Sequence, residues 1–152
     1  MLNLTGTIKE TQIYYVQKGS LRIYLEDEQE EHTIRFGYAN NLIVSLDSFL
    51  TDKPSELYIQ ALKETQLKII HKTNFLNILS SNKQFKNTWT TILEGVVLQQ
   101  LEREKDILTT SPIARYRRVL KRSPQLFQEI PSKHIAAYLR MSPETLSRIK
   151  KS

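Results

Sequence analysis

Residues 142 to 151, S-P-E-T-L-S-R-I-K-K, have types and spacing suited to chemistry on a polyanion. Ser142 can cap a helix, Pro143 tolerates its first position, and Glu144 suits the first turn. Arg148, Lys150 and Lys151 suit the negative end of the same helix. Leu146 and Ile149, three apart, form its buried side, with Glu144, Ser147 and Arg148 opposite. Arg can bond guanine O6 and N7 together, and Glu can accept from cytosine N4. Ser142, Thr145, Lys150, Lys151 and the helix N-terminus suit phosphates. The competing use of Glu144 and Arg148 is an intrahelical i, i+4 ion pair, worth about 0.3–0.5 kcal/mol.

A helix must hold this one in place. Residues 131 to 141, P-S-K-H-I-A-A-Y-L-R-M, supply it: Ser132 as cap, Ile135, Ala136 and Leu139 inward, and Arg140-Met141 as a tight connection. Ala136 is small where two helices would cross closely. Cap, small residue, turn, second cap and apolar pair together describe a helix-turn-helix, whose second helix enters the major groove. A structural αα-hairpin is the plainer alternative. Charge favours the first reading. Residues 112 to 152 carry ten basic and two acidic side chains, a balance of +8, whereas residues 1 to 111 carry 12 and 14, or −2. One end of the chain is suited to a polyanion, and Ser132, Arg115 and Arg118 join the candidate phosphate contacts.

Other chemistries find little support. There is no Cys, hence no disulfide, thiolate metal site or Cys nucleophile, which suits a reducing compartment. His32, His71 and His134 are scattered, no glycine-rich phosphate loop is present, and no Ser/His/Asp set stands out, so neither an enzyme nor a cofactor is expected. No apolar run reaches the roughly 18 residues of a membrane span, and no signal peptide is visible at the start. A cytoplasmic protein without a membrane partner is expected.

The first half alternates like strands. Residues 13 to 25, I-Y-Y-V-Q-K-G-S-L-R-I-Y-L, predict two strands joined by a hairpin at Lys18-Gly19. An acidic turn follows at Glu26 to Glu31, then a strand at His32 to Tyr38 and a turn at Asn40-Asn41. Residues 45 to 50 fit a short helix or a loop, and Leu57 to Leu62 and Leu67 to Ile70 fit two more strands. The second half is helical. From Lys83 to about Leu108 nothing breaks a helix, and Trp89, Ile92, Leu93, Val96, Val97 and Leu101 belong to one apolar stripe. At 1.5 Å per residue it spans about 38 Å, too long for so small a domain to cover. Part of the stripe is expected to pack on a second copy; a helix lying wholly on its own β domain is the alternative.

These segments resemble a known family. S-P-E-T-L-S-R-I preceded by I-A-A-Y-L resembles the C-terminal helix-turn-helix of CRP/FNR transcription regulators, and is most similar to the branch seen in Bacteroidetes. Y-V-Q-K-G-S-L-R-I-Y resembles the glycine-containing hairpin of that family's cyclic-nucleotide-binding-like β-roll. S-F-L-T-D-K-P-S-E-L-Y-I-Q-A-L resembles the segment around its phosphate-binding cassette, and A-R-Y-R-R-V-L-K-R-S-P the helix that opens its DNA-binding domain. The resemblance implies an α+β fold: an antiparallel β-roll of the jelly-roll or double-stranded β-helix kind over residues 1–80, a long dimerisation helix over 81–109, and a helix-turn-helix domain over 110–152. It implies a homodimer on a two-fold symmetric DNA operator, with RNA polymerase and a small-molecule effector of unknown identity as further partners. It also implies a β-roll short at its N-terminus, because the family's leading helix and first strands have no counterpart here.

Three departures matter. The residue pairs that hold cyclic AMP in the family fall on Val44-Ser45 and Ser55-Glu56, and no Arg lies between Arg35 and Arg103, so no cyclic-nucleotide response is expected. Pro143 stands where the cyclic-AMP receptor has a base-reading Arg. Arg140 stands where many such turns have Gly; a positive φ there would cost about 1 kcal/mol. The opposing functional class is a β-roll that binds a ligand or protein without specific DNA binding.

Overall fold

Alternating apolar residues build two sheets, seen in a computed structural model that describes residues 12–152. The expectation of a β-roll short at its N-terminus falls largely on residues 1–11, outside those described. β1 (Gln12–Lys18), β4 (Leu42–Val44) and β6 (Gln66–His71) form one antiparallel sheet in the order β4-β1-β6. β2 (Ser20–Asp27), β3 (Glu30–Tyr38) and β5 (Leu57–Ala61) form the other, in the order β3-β2-β5. Tyr14 and Val16 of β1, Leu21 and Ile23 of β2, Ile43 of β4 and Ile59 of β5 meet in one buried cluster. Strands of period two from both sheets thus share a core.

The expected Lys18-Gly19 hairpin is corrected. β1 and β2 belong to different sheets, and Gly19 hands the chain from one to the other. Its φ of 98° is open to glycine alone, and a Cβ there would stand 2.4 Å from Thr65 Oγ1. The β2–β3 pair is a true hairpin, turning on Glu28 and Gln29 with φ of 46° and 73°.

Seven helices follow or interrupt the strands among the described residues: α1 (Leu46–Thr51), α2 (Lys72–Ser81), α3 (Lys83–Leu108), α4 (Pro112–Arg122), α5 (Leu126–Glu129), α6 (Ser132–Tyr138) and α7 (Pro143–Lys151). Asn82 caps α3 by accepting from Gln84 N–H, and Ser111 caps α4 by accepting from Ala114 N–H. α3 is tied to the sheets by an aromatic triad: the Trp89 ring lies 5.7 Å from Phe49 of α1 and 5.0 Å from Phe75 of α2. Trp89, expected on a partner-facing stripe, therefore packs on its own chain.

The rest of α3 is poorly covered. Only Arg103 and Asp106 are buried along its 26 residues. Val97 is 59% exposed, Leu98 63%, Leu101 48% and Leu108 73%, so the helix does not lie wholly against its own domain. At its end, buried Asp106 accepts from Arg118 Nε at 3.0 Å and pairs with Arg122, while Glu102 accepts from Arg118 Nη2 at 3.0 Å. These bonds fasten α4 to α3.

α4 to α7 share a core of Val119, Leu126, Ile130, Ile135, Ala136, Leu139 and Leu146, joined by Tyr138 and by Phe36 from β3. The α6–α7 connection has the hydrogen bonds of a Schellman turn: Met141 N–H to Ala136 C=O and Arg140 N–H to Ala137 C=O, each 3.0 Å. Arg140 takes the left-handed position, with φ of 53°. Its side chain is exposed, so the strain is one of backbone alone. Arg140→Gly should therefore stabilise the fold by about 0.5–1 kcal/mol, left-handed strain relieved less the extra entropy of glycine when unfolded. A higher urea midpoint at unchanged m would report this, and a lower midpoint would contradict it.

Candidate nucleic-acid interface

Ser142 opens α7 by accepting from Thr145 N–H at 3.2 Å, with Pro143 in the first turn. Leu146 is 1% exposed in the core and Ile149 is half-buried beside it. That rotation sets Glu144, Ser147 and Arg148 outward, and all three are exposed. They form one face because i, i+3 and i+4 are neighbours on a helix.

The competing intrahelical pair does not form. No Glu144–Arg148 ion pair exists among the described residues, and Arg148 Nη2 stands 3.4 Å from Thr145 Oγ1 instead. Hydrogen bonds accepted from its own backbone N–H and then from the Ser142 hydroxyl hold the Glu144 carboxyl below the usual carboxylate range. It is therefore ionised at neutral pH, in the form that accepts from an amino donor.

The candidate phosphate contacts divide. Ser142 and Thr145 lie at the N-terminus of α7, where unpaired N–H groups favour anions. Lys150 Nζ donates to Ser132 Oγ at 2.8 Å, so these two side chains bridge α7 and α6. Lys151 is exposed. Ser132 is not the cap expected of it: α6 begins on Ser132 itself and Pro131 holds the cap position, with φ of −58° and no side chain to accept.

Arg115 requires correction. It is 8% exposed and points inward, donating to Leu139 C=O at 2.7 Å, Thr109 C=O at 2.6 Å and Arg140 C=O at 3.2 Å. A guanidinium so engaged has no free face for phosphate. Arg118 is occupied by Glu102 and Asp106, although partly exposed. Arg117 and Lys121, one turn apart on the other side of α4, are exposed and make no ion pair among the described residues. Sequence reasoning placed them in a basic cluster without separating them from the inward set. The available signal was their i, i+4 spacing out of phase with buried Arg115 and Val119.

The segment resembling a phosphate cassette holds its own anion. Asp47, in the first turn of α1, accepts from Ser55 Oγ at 2.8 Å and from Glu56 N–H at 3.3 Å. Ser55 in turn accepts from Leu57 N–H at 3.0 Å. Donors that could grip a phosphate are already turned on a carboxylate of the chain.

No helix among the described residues is long and apolar enough to cross a membrane. No protein-family model and no curated protein sequence matches the chain. Solved structures do. FixK2 from Bradyrhizobium japonicum superposes with a TM-score of 0.78 at 15% identity, covering 99% of this chain and 77% of that one. A CooA variant from Carboxydothermus hydrogenoformans gives 0.73 at 18% identity, over 97% and 69%. The catabolite activator protein of Thermus thermophilus gives 0.56 at 20% identity, over 99% and 72%. At 97–99% of this chain the superpositions span the sheets, the long helix and the terminal helices, and the chain shares the fold of these three proteins.

Proposed function

We propose that the chain is a homodimeric, sequence-specific DNA-binding transcription regulator that works in the cytoplasm and does not respond to cyclic nucleotides. The observation that carries this reading is the outward face of α7. Glu144, Ser147 and Arg148 are exposed together on a capped helix whose other side is locked into a core by Leu146. α6 and α7 then act as a helix-turn-helix. Arg148 reads a guanine and Glu144 a cytosine, while Ser142, Thr145, Lys150 and Lys151 meet phosphate. Lys150 leaves Ser132 for a phosphate oxygen, or holds both groups at one. RNA polymerase and an effector are further partners on this reading.

Dimerisation is supported by α3. Its uncovered Val97, Leu98, Leu101 and Leu108 form an apolar edge, and a Cβ at Gly95 would meet nothing within 4 Å, leaving room for a second backbone. Two copies joined along α3 present two α7 helices to half-sites about one DNA turn, 34–36 Å, apart. The absence of a cyclic-nucleotide response is supported by Asp47, whose carboxylate takes the Ser55 and Glu56 donors, and by Glu56, which would repel a phosphate.

Three measurements test the parts. Arg148→Ala should weaken binding to the specific site by about 1–3 kcal/mol and non-specific duplex far less; equal losses would reduce Arg148 to a phosphate contact. Leu101→Glu should convert a dimer to monomer in sedimentation, whereas a wild type that is itself monomeric would overturn the assembly. Calorimetric titration with cyclic AMP and cyclic GMP should give no binding heat, and micromolar affinity would refute the Asp47 argument. If binding to DNA is abolished by salt with no sequence preference left at any concentration, the β-roll ligand- or protein-binding module becomes the better reading.

A further inference from the structure

Buried guanidiniums in this molecule have partners, with one exception. Arg22 has Glu31 and Gln60, and Arg115 has three carbonyls. Arg118 and Arg122 have Asp106. Arg103 is 8% exposed, its Nη1 is buried, and that nitrogen has no hydrogen-bond partner among the described residues. Its guanidinium carbon lies over the face of the Tyr138 ring, 3.6 Å from the centroid. Asp106 attracts it from a distance, but both Asp106 oxygens are taken by Arg118 and Arg122. The side chain of Arg35 in β3 is half-buried and makes no ion pair or hydrogen bond among the described residues.

Both side chains line one cavity of about 90 Å³, together with Phe36, Gln99, Gln100 and Tyr138. A space of this size suits a small anion such as phosphate or a short dicarboxylate. No carboxylate lines it. Desolvation lowers the proton affinity of both guanidiniums, outweighing the attraction of Tyr138 on each and of Asp106 on Arg103.

We propose that this cavity binds a small oxyanion, a phosphate or a carboxylate, gripped between the Arg35 and Arg103 guanidiniums with the Gln99 and Gln100 amides as further donors. Guanidinium forks match two oxygens of either group. None of the Ser45–Ser55 segment lines the cavity, so this site is separate from the one that resembles a nucleotide cassette. Its walls come from β3, α3 and, through Tyr138, α6. An occupant therefore joins the sheets, the long helix and the helix that supports α7. Binding to this closed arrangement favours it by mass action over any arrangement in which α6 leaves β3. That regulatory consequence rests on the DNA-binding reading; the binding itself does not, and its test contains no DNA.

The test is calorimetric titration of the full chain with inorganic phosphate and, separately, with malonate, at ionic strength held constant with chloride. One saturable site per chain for either anion is expected, together with a rising thermal midpoint. Arg35→Gln should weaken it by about tenfold or more, the size of a lost charge-assisted pair, and Arg148→Ala should leave it unchanged. If Arg35→Gln does not fold, Arg103→Lys keeps the charge but loses the fork and should weaken it likewise. No saturable binding of either anion would overturn the proposal. So would binding that survives both cavity variants or disappears in Arg148→Ala, which would place the anion on α7.

Discussion

Arg115 carries a permanent charge and is nevertheless buried, which is tolerable only because its donors are occupied. Its three carbonyl partners come from two distant places. Thr109 ends α3, while Leu139 and Arg140 form the turn between α6 and α7. The guanidinium is planar and its donors are fixed in direction, so it sets the turn relative to the end of the long helix. Asp106 performs the complementary task, holding Arg118 and Arg122 of α4 against α3. α7 inherits its direction from these two ionic clamps. On a dimeric reading, the distance between two α7 helices depends on them as well.

The sheets contribute in a different way. Phe36 of β3 belongs to the same buried cluster as Ile135, Leu139 and Leu146, with its ring 5.4 Å from that of Tyr138. The terminal helices are thus packed on the sheet domain and not tethered beyond it. On the proposed readings, an anion between β3, α3 and Tyr138 would act on α7 by adding to this interface, against which Leu146 of α7 is already packed. In the segment 45–56, by contrast, the Ser55 hydroxyl and the Glu56 N–H are satisfied by Asp47 from within.

Much of this was legible in the sequence where local rules decide. α3 runs as expected because no residue from Lys83 to Leu108 breaks it. α7 follows from S-P-E and from Leu146 and Ile149. Arg140 needed its positive φ because a Schellman turn demands it of any residue there. What failed were questions of partner. An arginine in a basic helix looks the same whether it faces phosphate, a carboxylate or a carbonyl 24 residues away, so Arg115 and Arg118 are both expected on phosphate, whereas Arg115 turns to carbonyls and Arg118 to Glu102 and Asp106. A left-handed glycine between alternating strands serves a hairpin and a change of sheet equally, and Gly19 serves the second. Trp89 fitted the apolar stripe of α3 by spacing, but Phe49 and Phe75, distant in sequence, claim its ring. The pairing of Arg35 with Arg103 in one cavity spans 68 residues and has no local signature at all.

The central claim is that two copies of α7, held by α3, read two halves of one duplex site. Selection of bound sequences from random duplex DNA with the purified chain tests it most directly. The account predicts a two-fold symmetric consensus whose half-sites are centred about one helical turn apart. Recovery of no consensus, or of an asymmetric one, would contradict it.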